Sequence, residues 1–364
     1  MTGPVPAGPV VGAPVVGAPV TGATAWRVDD GPVWTAFLSS QWLPAVLVAD
    51  EVGLFATLAE APASGPELAG RTGWNPRVLR SLLALLASLG LLTRRGGRFQ
   101  LSATAAVHLV DGPFGWGGLL AMHRRGDPVA GRLRDVLLAP DPDEAVPSPG
   151  DAGMLGDDWA AGAMDRRRAD RVVAYMHAHS AAAADDLAAA ADLSATRRLL
   201  DVGGCSGCFS VALARANPGL RATVVDLPAV CAAAGERIGA AGLADRVGTV
   251  ALDMFRHPWP AGHDAVLLSN VLHDWRPATC AELLRRAFDA VEPGGTVLVH
   301  EMLLDDDLAG PREAAAFGVL MAVGTQGQQL SFAELSGLLQ GAGFTAVSCQ
   351  ETGARYSLVR AVRP

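Results

Sequence analysis

Two hydrophobic rhythms divide this chain. From Val33 to Leu109 apolar residues recur at helical spacing: Trp34, Phe37, Leu38, Trp42, Leu43 and Val46, then Val48, Val52, Leu54, Phe55 and Leu58. That spacing predicts successive amphipathic helices. Ser64-Gly65-Pro66-Glu67 offers a serine cap with an acid at the third helical position, a start signal for another helix. Gly73-Trp74-Asn75-Pro76 predicts a turn and Arg77–Gly90 a helix. Leu91-Leu92-Thr93 and Phe99-Gln100-Leu101 predict a hairpin across Gly96-Gly97. Together these give a helical winged-helix domain over residues 29–112. From residue 198 the rhythm changes. Short apolar runs at 198–202, 222–226, 248–252, 264–268, 296–300 and 345–349 alternate with helical stretches, and Ser357-Leu358-Val359-Arg360-Ala361 reads as an antiparallel edge strand. Alternation of this kind predicts an α/β domain with a mostly parallel, Rossmann-like sheet over residues 191–364.

Residues 113–190 join the two domains. Clusters of Pro, Gly and Asp make 140–150 a loop, and 157–190 reads as one or two long helices leading into the sheet. Residues 1–28 are mostly Pro, Gly, Ala and Val, with Gly-Ala-Pro-Val at 12–15 and 17–20. Such a tract has nothing to pack and is predicted to be a disordered tail.

Composition narrows the function classes. The 364 residues are half apolar, enough for a sizeable core, and the net charge of −8 argues against nucleic acid as the main partner. No uninterrupted apolar run is long enough for a membrane span, and no basic start with an apolar core marks a secretory signal. The five cysteines (205, 208, 231, 280 and 349) are too scattered for a disulfide scaffold, so a reduced, cytoplasmic setting is expected. Cys205-x-x-Cys208 has no second pair and lies inside a glycine turn, where small residues are needed; no metal site is predicted. A winged helix raises DNA reading. Its second helix, however, carries only Arg77 and Arg80 beside Val78, Leu79, Leu82, Leu83, Leu85 and Leu86. A helix apolar nearly all round is buried, here expected against a second subunit, which favours dimerisation over DNA.

The chemistry begins at Leu199-Leu200-Asp201-Val202-Gly203-Gly204-Cys205-Ser206-Gly207, a strand running into a glycine turn and a helix start. A second strand ends in Asp226, whose carboxylate can accept both hydroxyls of a ribose. The order G-G-x-x-G is not the dinucleotide fingerprint, and no phosphate loop with Gly-Lys-Ser/Thr occurs. Asp201 would repel a pyrophosphate but suit a cationic amino-acid group, which favours S-adenosylmethionine (SAM) over NAD. Asp253-Met254 after the third strand suits an adenine, with a carboxylate for its amino group and a thioether for its ring face. Ligands sit at the carboxyl ends of parallel strands. Ser269-Asn270-Val271-Leu272-His273-Asp274 follows the fourth strand and Glu301 the fifth. His273 is therefore expected as a general base, with Glu301 fixing its tautomer and steadying the imidazolium. Asp274 is a candidate N-cap for a helix near Ala278, or a residue facing the acceptor with Asn270. His300 points away from Glu301 and reads as a core histidine.

Taken together, Asp-Val-Gly-Gly-x-x-Gly, Asp226-Leu227-Pro228, Asp253-Met254-Phe255, Leu272-His273-Asp274-Trp275 and Gly341-Ala342-Gly343-Phe344 resemble the small-molecule O-methyltransferases. That family includes the plant caffeate enzymes, the acetylserotonin enzyme and bacterial natural-product tailoring enzymes. The resemblance runs from about residue 30 to 364. It implies a homodimer, a SAM cofactor and a small aromatic acceptor with a hydroxyl. Gly203, Asp226, Asp253 and Met254, with Ser180, would hold SAM; Met176, His179, Phe317, Leu320 and Met321 would line the acceptor pocket. Asp201, Gly204, Gly207, Leu227 and Ser269 complete the expected cofactor set. The family's second flanking glutamate is replaced by Gln329. An amide can orient His273 but cannot stabilise its charged form as a carboxylate would. Methylation of carbon beside a phenol is therefore the second reading, and a DNA-binding regulator with a SAM-like ligand the third.

Overall fold

The computed structural model describes residues 30–124, 126–139, 159, 161–353 and 355–364. The expected tail (1–28) and loop (140–150) lie outside them. The N-terminal part is helical: Gly31–Ser39, Trp42–Glu51, Leu54–Glu60, Gly65–Thr72, Pro76–Ser88, Ala103–His108, Gly117–Arg124 and Pro128–Leu138, with a hairpin of β1 (Leu92–Arg95) and β2 (Arg98–Leu101). The serine cap is a full capping box. The Ser64 amide donates to Glu67 Oε2 at 2.7 Å while Ser64 Oγ accepts from the Glu67 amide at 3.3 Å. Asn75 caps the next helix, accepting from the amides of Arg77 and Val78, with Pro76 at the first helical position where no amide is needed.

The buried helix Pro76–Ser88 corrects one expectation. Val78, Leu79, Leu82, Leu83, Leu85 and Leu86 are all buried within the single chain, packed against helix Arg312–Gly324 of the C-terminal domain. A second subunit is not needed to cover this face. The same packing withdraws the helix from any DNA groove.

One helix, Arg166–Ala190, capped by Asp165, leads into the sheet domain and packs on helices Cys208–Ala216 and Pro228–Ala240. The sheet holds β3 (Arg198–Val202), β4 (Arg221–Asp226), β5 (Val247–Ala251), β6 (His263–Ser269), β7 (Val291–Glu301), β8 (Thr345–Glu351) and β9 (Ser357–Val362). Their order is β5-β4-β3-β6-β7-β9-β8. β9 runs antiparallel to both neighbours, as expected, but one place in from the edge. The burial pattern explains why: β9 buries Leu358, Val359 and Ala361, whereas β8 is largely exposed, which suits an edge strand. Among the described residues no single helix is long and apolar enough to cross a membrane.

Candidate active site

Five parallel strands deliver the site from their carboxyl ends. β3 runs into Gly203, held at φ +70°, a left-handed conformation that favours glycine. A Cβ there would lie 2.9 Å from Val271 Cγ2, and one on Gly204 would lie 2.7 Å from the Asp201 carboxylate. The turn needs glycine to pack as well as to receive a ligand. β4 ends at Asp226, whose carboxylate accepts three hydrogen bonds from the protein. Trp159 Nε1 donates to Oδ1 at 2.7 Å, the Leu227 amide to the same oxygen at 2.8 Å, and the Cys205 amide to Oδ2 at 3.0 Å. Burial raises the Asp226 pKa, and these three donors work against that rise. After β5, Asp253 Oδ1 accepts from the Phe255 amide at 2.8 Å. Trp159, Gly203, Asp226, Leu227, Asp253 and Met254 enclose one narrow pocket, with about 10 Å³ left free.

β6 and β7 deliver the expected base and its carboxylate partner. Asn270 takes φ 54°, which asparagine tolerates better than most residues, and the chain turns into a short 3₁₀ segment, Leu272–Asp274. Glu301, at the end of β7, receives it. Its Oε1 accepts from the amides of Val271 (3.1 Å) and Leu272 (3.0 Å), while Oε2 lies 2.5 Å from His273 Nδ1. Three donors thus fix the carboxylate, and the carboxylate fixes the ring. His273 is buried, which alone would lower its pKa. The Glu301 carboxylate, then Asp274, outweigh that and raise it to about 9. Asp274 Oδ1 stands 3.7 Å from Nε2, and helix Pro277–Ala290 starts without a side-chain cap. Asp274 therefore faces the site rather than capping that helix.

A second cavity, about 70 Å³, adjoins the first. His273, Asp274, Asn270, Met176, His179, Phe317 and Met321 line it, together with Gly203 and Met254, so the expected base and acceptor residues meet the glycine turn at one place. Phe317 stands edge-on to His273 (5.3 Å between centroids) and stacks on His179 (5.9 Å). Burial, then the charges of His273 and Arg355, hold the His179 pKa down at about 4, so this imidazole is neutral.

Other expected site residues lie off the cavity. Asp201 is beneath the turn, where it accepts from Ser210 Oγ at 2.7 Å. It is buried, and its position beneath the bend supports the glycine turn. Gly204 covers it, and Gly207 packs near Ile238 at the helix start. Ser180 pairs with His179 Nδ1 at 3.1 Å, and Ser269 with His300 Nδ1 at 3.1 Å. His300 is the expected core histidine, with Nε2 2.8 Å from Thr352 Oγ1. Leu320 packs into the core. Gln329 donates to the Met302 carbonyl at 2.7 Å and makes no hydrogen bond to His273. Its place as a flanking catalytic group is corrected to a tie behind the site. Three residues the sequence reading did not single out join the site: Trp159, Tyr175, and Trp34, which packs edge-on to His179 at 4.7 Å. Trp159 left a faint signal as a lone tryptophan before a long helix; Trp34 was absorbed into a helical stripe.

Residues 150–345 match the model of the O-methyltransferase domain and residues 35–111 that of the O-methyltransferase dimerisation domain. The chain belongs to this family of SAM-dependent enzymes. It is 41% identical over 315 residues to the 3-hydroxy-5-methyl-1-naphthoate 3-O-methyltransferase of Streptomyces sahachiroi, covering 86% of this chain and 88% of that one. Among solved structures, an O-methyltransferase family 2 protein from Planctomyces limnophilus in complex with apigenin superposes with a TM-score of 0.79 at 28% identity, covering 93% of this chain and 97% of that one. Human N-acetylserotonin methyltransferase in complex with SAM gives 0.57 at 26% identity, covering 94% and 99%.

Proposed function

We propose that this chain transfers a methyl group from SAM to a phenolic hydroxyl of a small aromatic natural-product intermediate, with His273 as general base. The carrying observation is the Glu301–His273 pair, bonded at 2.5 Å and opening on the same cavity as Gly203 and Met254. Asp226, Asp253, Leu227 and Met254 fit a nucleoside: two buried carboxylates with an apolar side chain between them. Trp159 belongs to that set, because its indole N–H already satisfies the carboxylate a ribose would meet. Bound SAM supplies an electrophilic methyl on a sulfonium. Glu301 holds the proton on His273 Nδ1, leaving Nε2 to take the phenolic proton, and the resulting imidazolium is steadied by Glu301. Phe317, Met176 and Met321 offer apolar faces to a flat ring, and the buried site excludes water. The relative named as a 3-hydroxy-5-methyl-1-naphthoate 3-O-methyltransferase supports a fused-ring phenol as acceptor.

We also propose a homodimer through the N-terminal domain. Val33, Phe37, Leu43, Leu119 and Met122 are exposed on three helices, of which Trp42–Glu51 packs against both others. Apolar surface of that extent calls for a partner. Incubation with methyl-labelled SAM and a panel of hydroxynaphthoates and simpler phenols tests the activity. Label in an alkali-stable aryl ether is expected. Label in a ring-carbon methyl, or in no acceptor, overturns it.

A further inference from the structure

A larger cavity, about 980 Å³, lies between the winged-helix and sheet domains. Four arginines line it: Arg77, Arg80, Arg94 and Arg276. Among the described residues no carboxylate does, in a protein of net charge −8. Its wall is apolar, with Trp74 and Phe99 among the lining residues.

Part of this arrangement ties the domains together. Arg77 Nη1 donates to the carbonyls of Ala322 (3.0 Å) and Gly327 (2.7 Å), Arg80 Nη1 to that of Gln329 (2.7 Å) and Arg94 Nη1 to that of Asp306 (3.3 Å). Arg80 also meets Glu334 at 2.5 Å. Holding carbonyls does not exhaust these side chains, since each guanidinium carries five N–H donors. The Nε groups of Arg77 and Arg94 are buried without a hydrogen-bond partner among the described residues. Burial, then the charge of Arg276, pulls the Arg77 pKa down to about 10. The N–H groups that face the groove can meet an anion, and a planar guanidinium matches a carboxylate with two parallel hydrogen bonds. The volume is that of a small-molecule site, and the aromatic wall suits a flat apolar body.

We propose that this groove is a second binding site, separate from the methyl-transfer cleft, for a small aromatic carboxylate. The proposal does not depend on the acceptor chosen above.

The probe is 2-naphthoate, which has no hydroxyl to methylate, measured by equilibrium dialysis against the full chain saturated with S-adenosylhomocysteine (SAH). Two variants address the groove alone. Arg94→Glu reverses one charge on the hairpin. Gly70→Trp fills the space, and a Cβ on Gly70 meets nothing within 4 Å. Each is expected to weaken naphthoate binding by about tenfold or more. Methyl transfer without naphthoate should stay within about twofold, which also shows that each variant is folded. If Gly70→Trp fails to fold, Arg94→Glu decides alone. Wild-type affinity and stoichiometry in the folded variants would place naphthoate in the cleft only and overturn the proposal. So would equal binding of uncharged 2-naphthalenemethanol, which removes the anion, or of inorganic phosphate, which removes the aromatic body.

Discussion

Replacing Glu301 with glutamine isolates the role of the carboxylate behind the base. The side chain keeps its shape and loses one charge. Its oxygen can still accept from the amides of Val271 and Leu272, the contacts now at 3.1 and 3.0 Å. Its NH2 group then faces His273 Nδ1, where Oε2 sits at 2.5 Å. Nδ1 must become an acceptor, so the proton moves to Nε2, the atom that should take the phenolic proton. The variant therefore holds the wrong tautomer and lacks the charge that steadies the imidazolium. Losing the carboxylate that fixes a catalytic histidine's tautomer costs up to about 10⁴ in kcat, so a loss of roughly 10²–10⁴ is expected. The assay is steady-state release of SAH at saturating SAM and acceptor, with SAH affinity measured by calorimetry. The SAH Kd should change by less than about threefold, because Glu301 does not line the nucleoside pocket. A kcat within about tenfold of wild type would refute the tautomer argument.

Other outcomes follow from the same geometry. Because the base must be neutral and its pKa is raised to about 9, wild-type kcat/KM should climb as pH rises from about 6 to 9. In Glu301→Gln burial is no longer opposed by that charge, the acid limb moves to lower pH, and the wild-type advantage grows with pH; a constant ratio would contradict this. Asp226→Ala strands the donors of Trp159, Leu227 and Cys205 and should weaken SAH binding about tenfold or more by calorimetry. Trp159→Phe should abolish the change in tryptophan emission that SAH causes in the wild type; an unaltered response would remove Trp159 from the cofactor site. Gly327→Ala would place a Cβ 1.8 Å from the His273 carbonyl. Overpacking of that kind costs about 1–3 kcal/mol, so kcat should fall about tenfold or more with little change in SAH affinity.

The expected site residues that the structure gathers at one rim share one property: each lies at the end of a recognisable strand. Asp226, Asp253-Met254, His273 and Glu301 could be placed because strand ends share one rim of a parallel sheet. Side chains whose direction depends on the pleat or on packing could not. Asp201 and Ser269 sit on the right strands, yet face Ser210 and His300. Gln329 occupies the family's catalytic position in sequence and spends its amide on Met302. Trp34 and Trp159 reach the cavity from far along the chain, through contacts that no local pattern encodes. The apolar helix Pro76–Ser88 announced burial clearly, but its composition carried no hint that the cover would be helix Arg312–Gly324 of the same chain. The position of β9 was legible only through its burial contrast with β8.

The central claim is that His273 removes the acceptor proton in a cleft whose cofactor contacts lie elsewhere. The most direct measurement pairs turnover of His273→Ala, using methyl-labelled SAM, with its SAH affinity. The account predicts a loss of about 10²-fold or more in turnover and an SAH Kd within about threefold of wild type. Turnover near the wild-type rate would contradict it.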